Sequence, residues 1–181
     1  MTPLKDPLLL TGKAIAIFMQ AMTALGATAL LIAMPTIFIM RGTVEAEMIE
    51  ETGNPDLVLP VLTILGIMLV GFAIVVMLYF FFDKLRRIIG TVGEGDPFQP
   101  LNATRLAQMG WLMLGVQFIQ LLVIPLAVNL ASFADNFRDA HFSSGGIGLD
   151  IEGILMAIIL FILARVFRHG AAMREDLEGT V

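Results

Sequence analysis

Residues 57–82 read LVLPVLTILGIMLVGFAIVVMLYFFF, 26 consecutive positions without an Asp, Glu, Lys or Arg. About 20 predominantly apolar residues suffice for a helix to cross the hydrocarbon core of a bilayer, whereas a strand buried in a soluble sheet seldom exceeds about 10. Two further charge-free runs flank it, 27 residues at 14–40 and 29 residues at 106–134. The first is too long for the roughly 7–15-residue apolar region of a secretory signal. Three membrane-spanning helices follow, at about 14–40, 58–82 and 106–131.

The composition agrees. Of the 181 residues, 57% are hydrophobic and only 15% charged, where soluble chains carry about 25% charged residues. A globular core of this size cannot hide so much apolar surface, which excludes a water-soluble enzyme. Cysteine is absent, so disulfides, thiolate metal sites and cysteine nucleophiles are excluded together. A net charge of −5 speaks against direct nucleic-acid binding, which calls for a basic face.

A fourth span is less obvious, because only 12 residues separate Glu152 from Arg165. Extending the segment to Ile147–Phe167 gives 21 residues, or about 31 Å of helix, enough to cross. Asp150 and Glu152 then meet the positive end of the helix dipole, and Arg165 can snorkel to the interface. The competing arrangement is an amphipathic helix lying on the surface. Basic residues concentrate on the cytoplasmic side of membrane proteins. With four spans, Lys5, Lys13, Lys84, Arg86, Arg87, Arg105, Arg165, Arg168 and Arg174 share one side, and only Arg41 and Arg138 face the other. With three spans the division drops to six against five. The expected fold is therefore an all-α integral membrane protein, one domain over 1–181. It has four transmembrane helices (about 14–40, 58–82, 106–131 and 147–167) and cytoplasmic N and C termini. A cytoplasmic loop at 83–105 and a tail at 168–181 complete it.

The connections differ in character. Arg41–Asp56 (RGTVEAEMIEETGNPD) is an acidic outer loop, and its Glu45, Glu47, Glu50 and Glu51 lack the alternating pattern of a calcium loop, so a solvated acidic face is expected. DKLRRIIG from Asp83 extends the second helix until Gly93, Gly95 and Pro97 break it. Asn102 is the expected N-cap of the third helix. SSGG at 143–146 forms a flexible hinge into the fourth helix, and the tail helix is expected to break at Gly170. Pro35 and Pro125 should kink the first and third helices, with an outward-facing cavity between them as one consequence.

Inside the first three spans no Asp, Glu, His, Lys or Arg remains. Ion transporters and proton pumps place such groups at membrane depth, so bulk ion transport is not expected. Gln117, Gln120 and Asn129 form the candidate intramembrane polar face; they either line a polar path or hydrogen-bond the bundle together. Small residues four apart, such as Gly153 with Ala157, permit close helix approach. His141 and His169 fall on opposite sides of the membrane and cannot share a site. No catalytic arrangement, zinc-ligand spacing or nucleotide-binding glycine loop is present, so no metal, no cofactor and no enzymatic activity are expected.

The richest polar sequence is cytoplasmic: Arg86, Arg87, Asp96, Pro97, Phe98, Asn102 and Arg105 in the loop, and Arg168, Arg174 and Glu175 in the tail. It serves either to anchor lipid headgroups or to dock a partner. Gly95, Pro97, Phe98, Asn102, Arg105 and Leu106 follow the pattern glycine, spacer, Pro-Phe, Asn-x-x-Arg-Leu. The tail runs Ala164, Arg165, Val166, Phe167, Arg168, His169, Gly170, Ala171, then Met173, Arg174, Glu175, Asp176, Leu177, ending in Gly179, Thr180 and Val181. In both, the chain resembles the bacterial membrane proteins grouped as domain of unknown function 2975. It departs from them at Arg165, where an acid is usual, and at Gly179, where Leu is usual. The resemblance implies a bacterial inner-membrane protein whose partner is a cytoplasmic helix-turn-helix regulator. The expected function is thus a non-enzymatic sensor or regulatory partner that docks such a regulator. Its alternatives are a small permease or accessory subunit for a neutral or amphiphilic solute, and a homo-oligomeric membrane scaffold.

Overall fold

A computed structural model describes residues 7–55, 58–134 and 150–178. The SSGG hinge, His141, Arg138 and the start of the expected fourth span at 147–149 lie outside them. The described residues form five helices and no strand: α1 (Pro7–Thr52), α2 (Val61–Gly93), α3 (Pro100–Gln120), α4 (Val123–Ala134) and α5 (Ile151–Glu178). Three stretches are long and apolar enough to cross a membrane: Pro7–Thr52, Val61–Gly93 and Pro100–Phe133, the last comprising α3 and α4.

The helix boundaries correct several expectations. α1 continues through Gly42 to Thr52, so most of the acidic outer segment is helical. Gly53 ends it in the left-handed conformation (φ 68°), where its N–H donates to Ile49 O. Pro35 does not interrupt α1, because one missing rung is tolerated where neighbouring bonds persist. Pro125 does interrupt its helix. Its ring would clash with the carbonyl of Leu121, four residues earlier, and the chain breaks at Leu121–Leu122 between α3 and α4. Nor does the tail break at Gly170, since α5 runs on to Glu178.

The chain divides into two packing units. In one, described over 25–55, 58–75 and 118–134, glycines admit close contacts. A Cβ on Gly66 would lie 3.2 Å from Leu126 Cδ2, and one on Gly26 would lie 3.7 Å from Val75 Cγ1. Thr36 and Ser132 donate to carbonyls four residues back on their own helices, which satisfies hydroxyls that hydrocarbon cannot. A cleft of about 400 Å³ in this unit is lined by Arg41, Glu45 and residues 58–63, and includes neither Pro35 nor Pro125. Glu45 Oε1 accepts the Leu59 N–H there at 3.2 Å.

The other unit contains 7–24, 76–117 and 150–178 of the described chain. Ile88 of α2, Leu106 and Met109 of α3, and Leu160 and Ala164 of α5 make its buried core. α3 buries Asn102, Ala103, Leu106, Met109, Gly110, Val116 and Gln117 along one stripe, with the three-and-four spacing of a helix face. α5 answers with Gly153, Ala157, Leu160, Ala164 and Ala171. The two run antiparallel. A Cβ on Gly153 would collide with the Gln117 amide at 1.9 Å, and one on Gly110 would meet the Phe161 ring at 3.0 Å. Here the small-residue spacing of Gly153 and Ala157 does permit close approach.

A side chain at Gly110 would therefore press on Phe161, whose ring packs edge-on to the single tryptophan, Trp111, at 5.4 Å. Gly110→Leu should cost about 1–3 kcal/mol by overpacking and shift Trp111 emission in detergent-solubilised protein. Gly42→Leu, where a Cβ meets nothing within 4 Å, should leave both unchanged.

Candidate functional site

The end of α2 sets the site's geometry. Gly95 takes a left-handed φ of 84°, its N–H donates to Val92 O, and the Asp96 N–H donates to Thr91 O. This pair of bonds is a Schellman cap, which only a residue free of a Cβ penalty enters cheaply. It turns the chain sharply and leaves Asp96 as the first side chain beyond the turn. Pro97 prevents the helix from resuming, and Pro100 starts α3 at its first position, where a missing N–H costs nothing.

Asn102 is not the expected N-cap. It lies in the first turn of α3 and is fully buried. Its Nδ2 donates to Thr91 Oγ1 at 2.7 Å and to Pro97 O at 3.0 Å, and its Oδ1 accepts from Arg105 Nη1 at 2.9 Å. One amide thus ties the end of α2, the turn and the start of α3 together. A buried polar group is tolerated only when bonded, and this one is bonded through both atoms of its amide.

Two contacts then join the loop to α5. Asp96 Oδ1 accepts a charged hydrogen bond from Arg174 Nη1. The Phe98 ring packs on Phe167, centroids 5.5 Å apart, and lies over Gly170, where a Cβ would come within 2.6 Å of Phe98 Cδ1. The expected helix breaker is thus a seat for an aromatic ring. This latch is weak by construction. The ion pair is half exposed, worth about 0.2–1 kcal/mol, and the aromatic pair adds about 0.5–1.5 kcal/mol.

Of the ten candidate docking residues, Asp96, Pro97, Phe98, Asn102 and Arg174 come together in this assembly. Arg86 and Arg87 lie elsewhere, both bonded to Asp83, at 3.0 and 2.7 Å. Gln20 Nε2 approaches the same carboxylate at 3.5 Å. Arg105 serves Asn102, while Arg168 and Glu175 are exposed on α5. Phe167, Gly170, Thr91 and Asp83 are partners the sequence reading did not include among its site residues. Of the intramembrane candidates, Gln117 and Gln120 lie three apart on α3, and Asn129 lies on α4. Gln117 is buried, and its Oε1 accepts the N–H of Asp150, the N-cap of α5, at 2.9 Å. Asn129 is exposed and bonds back to Pro125 O. Gln120 Oε1 is buried without a hydrogen-bond partner among the described residues.

The model of a protein family of unknown function, DUF2975, matches residues 2–181, so the chain belongs to that family. Neither a curated protein nor a solved structure matches the chain.

The energetic ranking of the site is testable. Asn102→Ala strands Arg105 and two acceptors and should cost about 1–3 kcal/mol in detergent unfolding. Asp96→Asn, at an exposed pair, should cost less than about 1 kcal/mol.

Proposed function

We propose that this member of the family of unknown function DUF2975 is a non-enzymatic inner-membrane protein with four spans and both termini inside. A cytoplasmic helix-turn-helix regulator docks on the face made by the 94–99 loop and the end of α5. The observation that carries the reading is the latch itself. Phe98 on Gly170 and Asp96 on Arg174 bind the loop between two spans to the tail. A latch of about 1–2 kcal/mol leaves the open form populated at a few to some fifteen per cent, which a partner's binding energy can invert.

The same contacts support the four-span topology. The loop lies between α2 and α3, and the tail touches it, so both belong on one side. α5 meets Gln117 at Gly153 and the loop at Gly170, and those 17 residues of helix cover about 26 Å alongside a candidate span. Its outward face carries Leu155, Ile158, Ile159, Ile162 and Val166, all exposed. A helix lying at the interface would present polar groups there.

A permease is the second reading, favoured by the unbonded Gln120 Oε1. Against it, Gln117 is engaged with Asp150, and Thr23, Thr36 and Asn129 bond to their own helices, which leaves little polar lining for a path.

The absence of cysteine makes topology directly measurable. Glu51→Cys should react with an impermeant maleimide in intact spheroplasts, while Glu94→Cys and Asp176→Cys should react only after lysis. Labelling of Asp176→Cys from outside would establish three spans. For docking, a helix-turn-helix regulator encoded beside this gene should co-purify with the intact protein. Phe98→Ala and Arg174→Glu should change the amount retained about fivefold. No retention by any form would sink the docking role.

A further inference from the structure

Apart from the latch, α1, α2 and the start of α3 enclose a cleft of about 350 Å³. Four cations line it: Lys13, Arg86, Arg87 and Arg105. They are far apart in sequence yet share one property. Lys13 immediately precedes the charge-free run of α1, Arg86 and Arg87 follow that of α2, and Arg105 immediately precedes that of α3. Three helices therefore bring cations that stand within a few residues of their apolar runs to one place, at the boundary between hydrocarbon and water.

The charge there is not balanced internally. Arg86 and Arg87 share the single carboxylate of Asp83, and Arg105 is spent on a neutral amide oxygen. Lys13 makes no ion pair among the described residues, and Glu94 supplies the only acid on the lining. Four positive charges against Asp83 and Glu94 leave two unmatched. Thr91 is the one hydroxyl on the lining, and it is already bonded to Ile88 O and to Asn102. The guanidinium and ammonium groups thus remain the donors for an incoming anion, and these are the groups that suit phosphate oxygens. The cleft also has an apolar side: Ile17 lines it, and the neighbouring Phe18 stands exposed on the same helix.

We propose that this cleft binds the phosphate headgroup of an acidic phospholipid, with the acyl chains lying along the exposed apolar side of α1. A phosphodiester in a cation-rich cleft that Ile17 also lines fits a lipid better than a free anion, which would leave the apolar side without a function. The site does not depend on any cytoplasmic partner and stands or falls separately from the docking role.

The test uses the full-length protein in a nonionic detergent, with native mass spectrometry for stoichiometry and thermal unfolding for affinity. The probes are phosphatidylglycerol, phosphatidylcholine and inorganic phosphate. Phosphatidylglycerol should bind one to one and protect, with phosphatidylcholine at least about fivefold weaker. Lys13→Gln, which removes no internal ion pair, should weaken phosphatidylglycerol about fivefold, and Lys13→Arg should restore it. Gly90→Leu should block the cleft without altering charge, because a Cβ at Gly90 meets nothing within 4 Å and Gly90 lines the site. Arg168→Gln, outside the cleft, should change affinity less than about twofold. Equal losses for Lys13→Gln and Arg168→Gln, or none for Gly90→Leu, would overturn the site in favour of a diffuse field. Protection by inorganic phosphate equal to that by phosphatidylglycerol would overturn the lipid as its occupant.

Discussion

Much of one packing unit depends on how closely α5 approaches α3. So close an approach rests on van der Waals contact at short range and on polar groups that find partners. Gly153, Ala157 and Ala164 supply the first, and Gln117 reaching the N-cap of α5 supplies the second. Because the helices are antiparallel and closely packed, the turn before α3 is held beside the last turns of α5. The latch is thus a downstream product of small residues placed up to 17 positions earlier on the same helix.

Much of this was legible in the sequence, and the reasons are physical. Absence of charge over 57–82 fixes a helix regardless of detail, since no other secondary structure of that length satisfies its backbone in hydrocarbon. The loop glycine was readable as a turn because a left-handed residue must follow a Schellman-capped helix. Gly170 was misread for an instructive reason. Helix propensity treats glycine as a weak point, but here the missing Cβ makes room for Phe98 from 72 residues earlier in the chain, and no local rule sees that distance. Asn102 was misplaced in the same way. Its residue type suits a cap, but Pro100 already fills the first position of the helix, and burial turned the amide to tertiary use. Pro35 and Pro125 are identical by rule and opposite in outcome: Pro35 sits inside the unbroken α1, whereas Pro125 stands in the first turn of α4, just beyond the break at Leu121–Leu122.

The polar residues of the apolar segments divide by role. Thr23, Thr36, Ser132 and Asn129 are satisfied by their own helices and ask nothing of their neighbours. Gln117 and Asn102 are satisfied across the fold and specify it. The strength of that specification is concentrated where water is excluded, while the half-exposed ion pair and the aromatic contact are weak. A buried core carrying a loosely fastened edge is an arrangement in which a modest binding energy can move one part without unfolding the rest.

The 46 residues of α1 have an electrostatic consequence of their own. At 1.5 Å per residue the helix is about 69 Å long, more than twice the hydrocarbon thickness. Its final turns carry Glu45, Glu47, Glu50 and Glu51 and no basic residue in the last turn, so Glu50 and Glu51 face the negative end of the helix dipole. These turns are held by the Gly53 cap and by the bond from Leu59 to Glu45, against repulsion that grows as ionic strength falls. Screening should therefore make the far end of α1 firmer in concentrated electrolyte than in dilute.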